Sequence, residues 1–336
     1  MRDAFQPLPL TLSVAVDSFP IRGTFRIARG AKTEARTVTA TLQAPDGAIG
    51  RGECVPYARY GETVEGVVAA MEALAPAFAA GLDRDGLARL LPAGATRNAL
   101  DCALWDLAAK STGRPAWQLA GLAEPLPVTT AFTLSVDTPE AMEQAARAAT
   151  AHPLLKLKLA GDGLDLDRVA AVRAGSPRGR LIVDANEGWK PDDLAILPAA
   201  LAALGVEMIE QPLPAGQDEA LIGFDSPVPF GADESAHGRD GLEELATKYA
   251  IINIKLDKTG GLTEALMLKA RAEMLGLRIM VGCMVATSLS MAPATLLAQG
   301  ADYVDLDGPL LLQQDREPGL RYDGALLHPP IAAVWG

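Results

Sequence analysis

The first part of the chain contains two kinds of hydrophobic pattern. Some short stretches alternate hydrophobic and polar residues at every second position, which predicts β-strands, and longer stretches repeat hydrophobic residues at helical spacing. The predicted strands are Leu10–Val16, Arg36–Gln43 and Ile49–Glu53, and the predicted helices are Thr63–Ala80 and Ala95–Thr112. This mixture predicts an α+β domain over residues 1–125.

The pattern changes near residue 128, where short apolar runs begin to alternate with alanine-rich stretches of helical period. We interpret these runs as strands at Thr129–Leu134, Leu154–Leu159, Leu181–Asp184, Met208–Glu210, Phe230–Ala232, Ile251–Lys255, Arg278–Gly282 and Tyr303–Asp307. Eight strands separated by helices are typical of a parallel barrel. The predicted fold class is therefore α/β, a modified TIM barrel of the (β/α)7β type over residues 126–309, with the α+β domain as its cap. The Pro- and Gly-rich tail, about residues 310–336, is expected to pack back on the cap.

Composition and charge narrow the class of function. The formal net charge is −12 and the isoelectric point is near 4.8, whereas a nucleic-acid-binding protein needs a basic surface. We expect no membrane span, because no run of about 18 apolar residues is free of charges, and the first twelve residues lack the core of a secretory signal. The cysteines, Cys54, Cys102 and Cys283, are too far apart to form a zinc or disulfide motif. We therefore expect a cytoplasmic enzyme with a small-molecule substrate.

Ionisable residues stand at the carboxyl ends of the predicted barrel strands. They are Lys156, Lys158, Asp184, Glu210, Asp233, Lys255, Asp305 and Asp307. Consecutive groups from Lys158 to Lys255 are 22 to 26 residues apart, which suits one strand–helix unit, and the longer interval to Asp305 spans two units. Because the carboxyl ends of the strands share one mouth of a barrel, and barrel enzymes carry their active sites there, we expect these groups to form one site.

The three carboxylates predict a metal site. Asp184, Glu210 and Asp233 come from three neighbouring strands and offer only oxygen ligands. Hard oxygen ligands without His or Cys suit Mg²⁺, with Mn²⁺ as the second choice, and do not suit Zn²⁺. Without a cation, three carboxylates on one rim would repel each other.

The lysines predict acid–base chemistry. Lys156 and Lys158 are two residues apart on one strand and therefore share a face, while Lys255 comes from a strand four units further round the barrel. A nearby cation lowers the pKa of a lysine towards the range in which it can act as a base. Lys158 and Lys255 are thus the expected bases on opposite sides of a bound carbon acid.

Five segments of the barrel resemble the enolase superfamily, in its muconate-lactonizing-enzyme subgroup. They are Leu155–Leu159, Ile182–Glu187, Ile209–Pro214, Gly231–Ser235 and Asn253–Gly261. The resemblance implies a Mg²⁺ site and a pair of lysine acid–base catalysts at the ends of the second and sixth barrel strands. In this superfamily the metal stabilises an enediolate intermediate.

Further segments are similar to those of the dipeptide epimerases within that subgroup. Asp305-Leu-Asp307 resembles their D-x-D signature, and Gly282–Ser288 resembles the segment of their seventh barrel strand. In the first domain, Ile27–Arg36, Gly52–Glu62 and Leu91–Cys102 are similar to L-Ala-D/L-Glu epimerases of murein peptide recycling. The resemblance covers nearly the whole chain. It implies a 1,1-proton transfer at the α-carbon of the C-terminal residue of a dipeptide.

The resemblance also implies roles for the residues that contact substrate. Asp305 and Asp307 would hold the dipeptide ammonium, and Lys156 would assist at the substrate carboxylate. The candidates for the substrate side chain are Lys32, Arg26, Arg29, Cys283 and Met284. Similar epimerases have Arg where this chain has Lys32, so dipeptides ending in Asp remain open beside those ending in Glu.

Other functions remain open at this stage. The same scaffold supports muconate cycloisomerisation, o-succinylbenzoate synthesis and N-acyl amino acid racemisation, whose substrates have no free ammonium for Asp305 and Asp307. A binding protein without catalysis would leave the metal and lysine residues unexplained, and a metal-dependent aldolase or hydrolase has no use for two opposed lysines. The sequence is compatible with a homo-oligomer and gives no oligomeric state.

Overall fold

A computed structural model describes residues 8–336 of the chain. The first seven residues of the predicted cap lie outside this range. The described part has a three-stranded antiparallel sheet with helices in its first third and an eight-stranded parallel sheet after it. In this part of the chain no helix is long and apolar enough to cross a membrane.

The cap is built on a long β-hairpin. Its strands are β1 (Thr11–Ile27) and β2 (Gly30–Gln43), followed by β3 (Ile49–Cys54), in the order β1-β2-β3. The first two strands are longer than the sequence predicted, and they pair down to Ile27 and Gly30 at the hairpin tip. The hydrophobic alternation fails in this distal half because its side chains are largely exposed, as in the run Gly30–Glu34.

Five helices complete the cap. They are α1 (Val64–Glu72), α2 (Ala75–Ala79), α3 (Arg84–Leu90), α4 (Ala95–Thr112) and α5 (Ala116–Leu119), and a 3₁₀ turn, Ala58–Tyr60, precedes them. The single helix predicted over Thr63–Ala80 is divided into α1 and α2, and Thr63 caps α1 by accepting a hydrogen bond from the backbone N–H of Gly66. The prediction for α4 is confirmed. It packs directly on β3, where a Cβ at Gly52 would lie only 2.1 Å from the carbonyl oxygen of Ala99.

The parallel sheet forms the barrel. Its strands are β5 (Phe132–Leu134), β6 (Leu154–Lys158), β7 (Arg180–Asp184), β8 (Val206–Glu210), β9 (Phe230–Ala232), β10 (Ile251–Ile254), β11 (Arg278–Val281) and β12 (Tyr303–Val304), paired in chain order, and the short β4 (Val128–Thr129) precedes them. The ends of the sheet meet through a 2.7 Å hydrogen bond from the backbone N–H of Ala131 to the carbonyl of Val304. The prediction of a (β/α) barrel behind an N-terminal cap is confirmed.

Helices and 3₁₀ turns connect the barrel strands. The helices are α6 (Pro139–Ala148), α7 (Asp165–Gly175), α8 (Leu197–Ala203), α9 (Leu242–Leu245), α10 (Leu256–Thr259), α11 (Leu262–Met274), α12 (Ser288–Leu297) and α13 (Gly308–Leu311), and the 3₁₀ turns are Pro191–Ala195 and Glu219–Leu221. Most of the hydrophobic core lies between these helices and the outer face of the sheet.

The barrel interior is apolar at one end and charged at the other. An apolar layer fills the amino-terminal end and consists of Ala131, Leu154, Ile182, Met208, Ile251, Met280 and Tyr303. Because side chains alternate between the faces of a strand, the residues two or four places further along point into the same interior. At the carboxyl end of the barrel, the interior positions reached by this alternation are those of Lys156, Lys158, Asp184 and Glu210.

The C-terminal tail contacts the cap and the barrel. Its strands β13 (Tyr322–Asp323) and β14 (Leu326–Leu327) form a small sheet with β4. Arg316 reaches the buried carboxylate of Glu53 on β3, 2.8 Å from its Nε, and that carboxylate also accepts hydrogen bonds from the backbone N–H and hydroxyl of Thr287 at the start of α12. Glu53 thus joins cap, barrel and tail.

Replacing Arg316 should destabilise this junction. Burial already raises the pKa of Glu53, and Arg316 opposes that shift. In Arg316→Met the buried carboxylate loses its cation, so we expect the free energy of unfolding to fall by about 3 kcal/mol. Urea unfolding would measure the loss, and adding Glu53→Gln should recover part of it because a neutral amide needs no counter-charge. Equal losses in the single and double variants would contradict this account.

Candidate active site

A cavity of about 900 Å³ lies between the cap and the carboxyl mouth of the barrel. The hairpin tip and the 3₁₀ turn contribute Arg29, Lys32 and Tyr57 to its wall, and the barrel contributes Lys158 and Lys255. The site is therefore formed jointly by the two domains.

The three predicted metal ligands converge in the structure. Asp184 and Glu210 end β7 and β8, and Asp233 directly follows β9. Each side chain is buried, and one carboxylate oxygen of each lies within 4.8 Å of the others. Neighbouring parallel strands in register bring them together, since Asp184 pairs with Glu210 across β7 and β8.

The pKa values of these three carboxylates are shifted in different directions by their surroundings. Burial opposes the charge of Asp184, but Lys158 and Lys156 lower its pKa to about 2. Lys255 and Lys258 overcome burial at Asp233 and hold its pKa well below the usual value. At Glu210, burial and then the charge of Asp184 raise the pKa to about 7. The lysines therefore compensate Asp184 and Asp233 more fully than Glu210, and a cation at Glu210 would favour its charged form.

The donor set fits a hard divalent cation. All three side chains offer carboxylate oxygens. Among residues 8–336, Glu210 Oε2 accepts no hydrogen bond of good geometry, although Lys156 forms an ion pair with it at 2.7 Å. Glu210 Oε1 is fixed by a 2.6 Å hydrogen bond from Asn253 Nδ2. That amide needs Gly282 beside it, because a Cβ there would lie 2.5 Å from Asn253 Oδ1.

The two predicted catalytic lysines flank the carboxylates from opposite sides. Lys158 Nζ lies 2.6 Å from Asp184 Oδ2, and Lys255 Nζ lies 2.6 Å from Asp233 Oδ2. Lys158 ends β6 and Lys255 follows β10, four strands apart among eight, so they face each other across the barrel. Burial lowers the pKa of Lys255, but Asp233 together with Glu210 and Glu234 raises that pKa well above the usual value.

Lys156 lies deeper than the other lysines. It is 1% exposed, and its Nζ lies 2.7 Å from both Glu210 Oε2 and Asp305 Oδ2. Because Lys156 is outside the cavity wall, its direct contacts are with protein carboxylates. It links the metal-ligand cluster to the acidic pair on the opposite wall.

Asp305 and Asp307 follow β12 and line the cavity opposite β8. Thr133 fixes both, donating from its backbone N–H to Asp307 Oδ2 at 2.6 Å and from its hydroxyl to Asp305 Oδ1 at 3.4 Å. Burial and then the charge of Asp305 raise the pKa of Asp307 to about 7. The pair offers a cation-binding wall facing the metal ligands.

The hairpin tip is fastened to the barrel by Arg29. Its guanidinium donates to the carbonyl of Asn186 at 2.6 Å, to Glu187 Oε2 at 3.0 Å and to Glu234 Oε1 at 2.5 Å. Arg59 of the 3₁₀ turn binds the same Glu187 with two hydrogen bonds of 2.9 and 2.7 Å. Both cap segments are thus held over the cavity by barrel carboxylates.

Asn186 and Glu187 have left-handed backbone conformations, with φ of 47° and 67°. Such conformations cost energy in non-glycine residues and are found where a site constrains the backbone. Here the turn lets the Asn186 N–H donate to Asp184 Oδ1 at 2.9 Å while the Asn186 carbonyl accepts from Arg29. The predicted metal ligand Asp184 and the cap are therefore oriented by one turn.

Of the other predicted substrate contacts, some line the cavity and one does not. Lys32, Cys283 and Met284 line the cavity, and Lys32 Nζ lies 5.3 Å from the centre of the Tyr57 ring with no ion pair among residues 8–336. Arg26 does not reach the cavity wall, and it pairs instead with Asp137 at the surface, 3.3 Å away. Arg26 and Arg29 of the hairpin thus point in different directions, and the sequence alone could not decide which of them faces the cavity.

The residues of the site that were not singled out from the sequence include Thr133, Glu187, Glu234 and Lys258. Glu187, Glu234 and Lys258 stand inside the segments that resemble the superfamily, and the signal that could have found them is their charge beside a metal ligand or a catalytic lysine. Thr133 gave no such signal, because it acts through its backbone N–H.

Two family matches cover most of the chain. Residues 10–121 match the N-terminal domain of the mandelate racemase / muconate lactonizing enzyme family, and residues 140–330 match the family described as enolase C-terminal domain-like. The division between the matches falls between α5 and α6, near the start of the barrel.

Individual relatives span nearly the whole chain. An L-Ala-D/L-Glu epimerase of Escherichia coli is 45% identical, with 95% of this chain and 99% of that protein covered. An N-acetyl-D-glutamate racemase of Pseudoalteromonas is 47% identical, with 85% and 91% covered. A crystal structure of an enolase family member from Agrobacterium tumefaciens, with bound sodium and L-Ala-L-Glu, is 49% identical with a TM-score of 0.95, and covers 98% of this chain and 100% of its own.

Magnesium should stabilise the folded protein through the carboxylate cluster. A ligand at a hundred times its dissociation constant adds about 2.7 kcal/mol to the free energy of unfolding, so the melting temperature should rise with Mg²⁺. Asp233→Asn should abolish the rise. Asp218→Asn, which changes a buried carboxylate bound to Lys248 and Tyr249 outside the cluster, should keep it. Equal Mg²⁺ stabilisation in both variants, measured by calorimetry, would contradict the assignment.

Proposed function

Because this chain belongs to the mandelate racemase / muconate lactonizing enzyme family of enolase-like proteins, we propose that it is a divalent-metal-dependent dipeptide epimerase. The proposed reaction is a 1,1-proton transfer at the α-carbon of the C-terminal residue, with L-Ala-D/L-Glu-like dipeptides as substrates. The names of the relatives support an isomerase that acts on amino acid derivatives.

One observation carries the proposal: the four sides of the barrel mouth present the carboxylate cluster, an acidic pair opposite it, and one lysine on each of the two remaining sides. The metal ligands centre on β8, and the acidic pair after β12 lies four strands away on the opposite wall. The lysine wall at β6 faces the lysine wall at β10 across the other diameter. A dipeptide with its carboxylate at β8 and its ammonium at β12 would lie between the two lysines.

The opposed lysines supply the proton transfer. In the proposed reaction, neutral Nζ of one lysine removes the α-proton from one face, and the electron pair of the broken C–H bond passes into the carboxylate group. The ammonium of the other lysine then donates a proton to the opposite face, which inverts the carbon. Lys158 and Lys255 exchange these roles when the substrate has the other configuration.

Asp184, Glu210 and Asp233 are proposed to hold Mg²⁺, with Mn²⁺ as the second choice. When bound, the divalent cation supplies positive charge that stabilises the enediolate formed from the substrate carboxylate. Lys156 is proposed to assist at that carboxylate from beneath, because its ammonium already bridges Glu210 and Asp305.

The acidic pair and the cap are proposed to select the substrate. Asp305 and Asp307 would pair with the dipeptide ammonium, which favours a short first residue such as Ala. Lys32 supports an acidic side chain on the second residue, because its ammonium has no ion-pair partner among residues 8–336. Cys283 and Met284 contribute to the same cavity. Tyr57 and Tyr60 line the cavity and meet edge to face with ring centres 5.4 Å apart, which supports exclusion of water from the reaction.

The proposed cellular role is murein peptide recycling in the cytoplasm. The proposed preference for an acidic second residue supports it, together with the relative named L-Ala-D/L-Glu epimerase. The three cysteines are free thiols, which also favours a reducing compartment.

A second candidate is racemisation of an N-acylated acidic amino acid. The relative named N-acetyl-D-glutamate racemase is 47% identical and supports it. An N-acyl substrate keeps the amide that the dipeptide also has, but it carries an uncharged acyl group where the dipeptide has its ammonium, so it gains nothing from the buried charges of Asp305 and Asp307. Cycloisomerisation and o-succinylbenzoate synthesis share this weakness.

Asp307→Asn distinguishes the two candidates. We expect the variant to lose about a hundredfold or more in kcat/KM for L-Ala-L-Glu, because a close charge–charge contact with the ammonium is worth several kcal/mol. Activity on N-acetyl-glutamate, whatever its level, should change less than threefold. Interconversion of configurations followed by NMR would measure both. Wild type that racemises N-acetyl-glutamate well and leaves a panel of L-Ala-X dipeptides unchanged would overturn the proposal in favour of the second candidate.

The affinity for a dipeptide should fall as the pH is lowered through 7. Asp307 has a pKa of about 7 in the folded protein, so it is charged above that pH and gains a proton below it. The amino group of the dipeptide, with a pKa of about 8, is mostly charged throughout this range and becomes more so as the pH falls, so it does not cause the loss. L-alanyl-α-methylglutamate has no α-proton, so its binding can be titrated without reaction by calorimetry. Its dissociation constant should rise several-fold between pH 7.5 and 6. The rise should be absent for Asp307→Asn, and a pH-independent wild type would contradict the role of Asp307.

A further inference from the structure

The buried ammonium of Lys258 is a charge that the proposed reaction does not use. Lys258 lies on α10, one residue from the end of that helix, and is 1% exposed. All three of its N–H groups have acceptors: Nζ lies 2.6 Å from Asp233 Oδ1, 2.5 Å from the Asp233 carbonyl and 2.9 Å from the Asn253 carbonyl. A lysine held this way has no freedom to reach substrate.

The two sides of the metal-ligand cluster are built differently. On the β6 side, Lys158 and the more distant Lys156 face the same oxygen of Asp184, at 2.6 and 3.4 Å, and the other oxygen accepts a hydrogen bond from a neutral group, the backbone N–H of Asn186. On the β10 side, the corresponding oxygen of Asp233 accepts from the charged Lys258. Asp233 is therefore bound by one lysine at each oxygen, at 2.6 Å in both cases.

With two lysine partners, Asp233 keeps a cation beside it when Lys255 moves. Lys255 must turn its Nζ towards the substrate α-carbon, and with Lys255 as sole partner Asp233 would then remain buried without a cation. Leaving one member of a buried ion pair alone costs several kcal/mol. Lys258 keeps its contacts with Asp233 whatever the position of Lys255, because its other two acceptors are backbone carbonyls. They belong to Asp233 itself, directly after β9, and to Asn253 on β10.

We propose that Lys258 is a positioning residue that holds Asp233 in its metal-binding orientation independently of Lys255, and so frees Lys255 to act on the substrate. The inference about metal binding depends on the carboxylate cluster alone, and the inference about Lys255 rests on the proposed epimerase function. Lys258 acts through Asp233 and Lys255 and does not touch the substrate.

Lys258→Met removes the charge and keeps the length of the side chain. The matched control is Lys248→Met, which breaks another buried Lys–Asp pair of the barrel, between Lys248 and Asp218 at 3.0 Å, away from the cavity. Titration calorimetry with Mg²⁺ alone should show that Lys258→Met binds the ion 10- to 100-fold more weakly than wild type, the loss that groups supporting a metal ligand commonly cause. Lys248→Met should bind within twofold of wild type.

The second measurement follows α-proton exchange in D₂O from each dipeptide diastereomer. The diastereomer that depends on Lys255 is the one whose exchange Lys255→Ala abolishes. At saturating Mg²⁺, exchange of that diastereomer should fall at least tenfold more in Lys258→Met than exchange of the other. A residue that only supported the fold would slow both equally, as expected for Lys248→Met.

The outcomes separate the two inferences. Unchanged or tighter Mg²⁺ binding by Lys258→Met would overturn the proposal, since it would mean that Lys258 only repels the ion. Equal loss of exchange from both diastereomers would overturn the role towards Lys255. Weaker Mg²⁺ binding in a protein that exchanges no dipeptide would support the positioning of Asp233 while the proposed function fails. If Lys258→Met does not fold, Lys258→Gln, which keeps N–H donors without the charge, undergoes the same Mg²⁺ titration with a smaller loss expected.

Discussion

Mutual compensation of buried charges at the barrel mouth is the constraint on which this structure depends. Lysine and carboxylate side chains occupy a space that the cap covers, and the charges of the three predicted metal ligands and their lysines are tolerated because each has an opposite charge within hydrogen-bond distance. Asp184 and Asp233 each face a lysine at 2.6 Å, and Lys156 joins the ligand cluster to Asp305. Glu210 is the least compensated member, and it marks the place where an added cation relieves the most repulsion.

The fold serves this charge arrangement in two ways. First, the eight parallel strands place the functional side chains around the site. Every second residue of a strand points into the barrel interior, and the order of the strands decides which side of the mouth each side chain occupies. The cap then closes the mouth through Arg29 and Arg59, which bind Glu187 beside the metal ligands. The cap and the carboxylate cluster thus both contact the turn at Asn186, so that the cap and barrel sides of the cavity are positioned together.

Sequence reasoning predicted the barrel and its strand-end residues well, because both follow from local periods and regular spacing. Lys158 and Lys255 could be placed on opposite sides from strand counting alone. The distal half of the hairpin was missed because exposed residues such as Gly30–Glu34 carry no alternation. Arg26 and Arg29 could not be told apart, since only the three-dimensional pairing with Asp137 or Glu234 decides which one faces the cavity. Contacts between distant segments leave no local signature in a single sequence.

The central claim is that two lysines work on opposite faces of one carbon, and separate removal of each lysine tests it most directly. Wild type, Lys158→Ala and Lys255→Ala would be incubated with Mg²⁺ in D₂O with L-Ala-L-Glu or L-Ala-D-Glu, and the α-proton signal followed by NMR. The account predicts that wild type exchanges and interconverts both, whereas each variant exchanges a different single diastereomer without interconversion. Exchange of both diastereomers by either variant, or of neither by wild type, would contradict it.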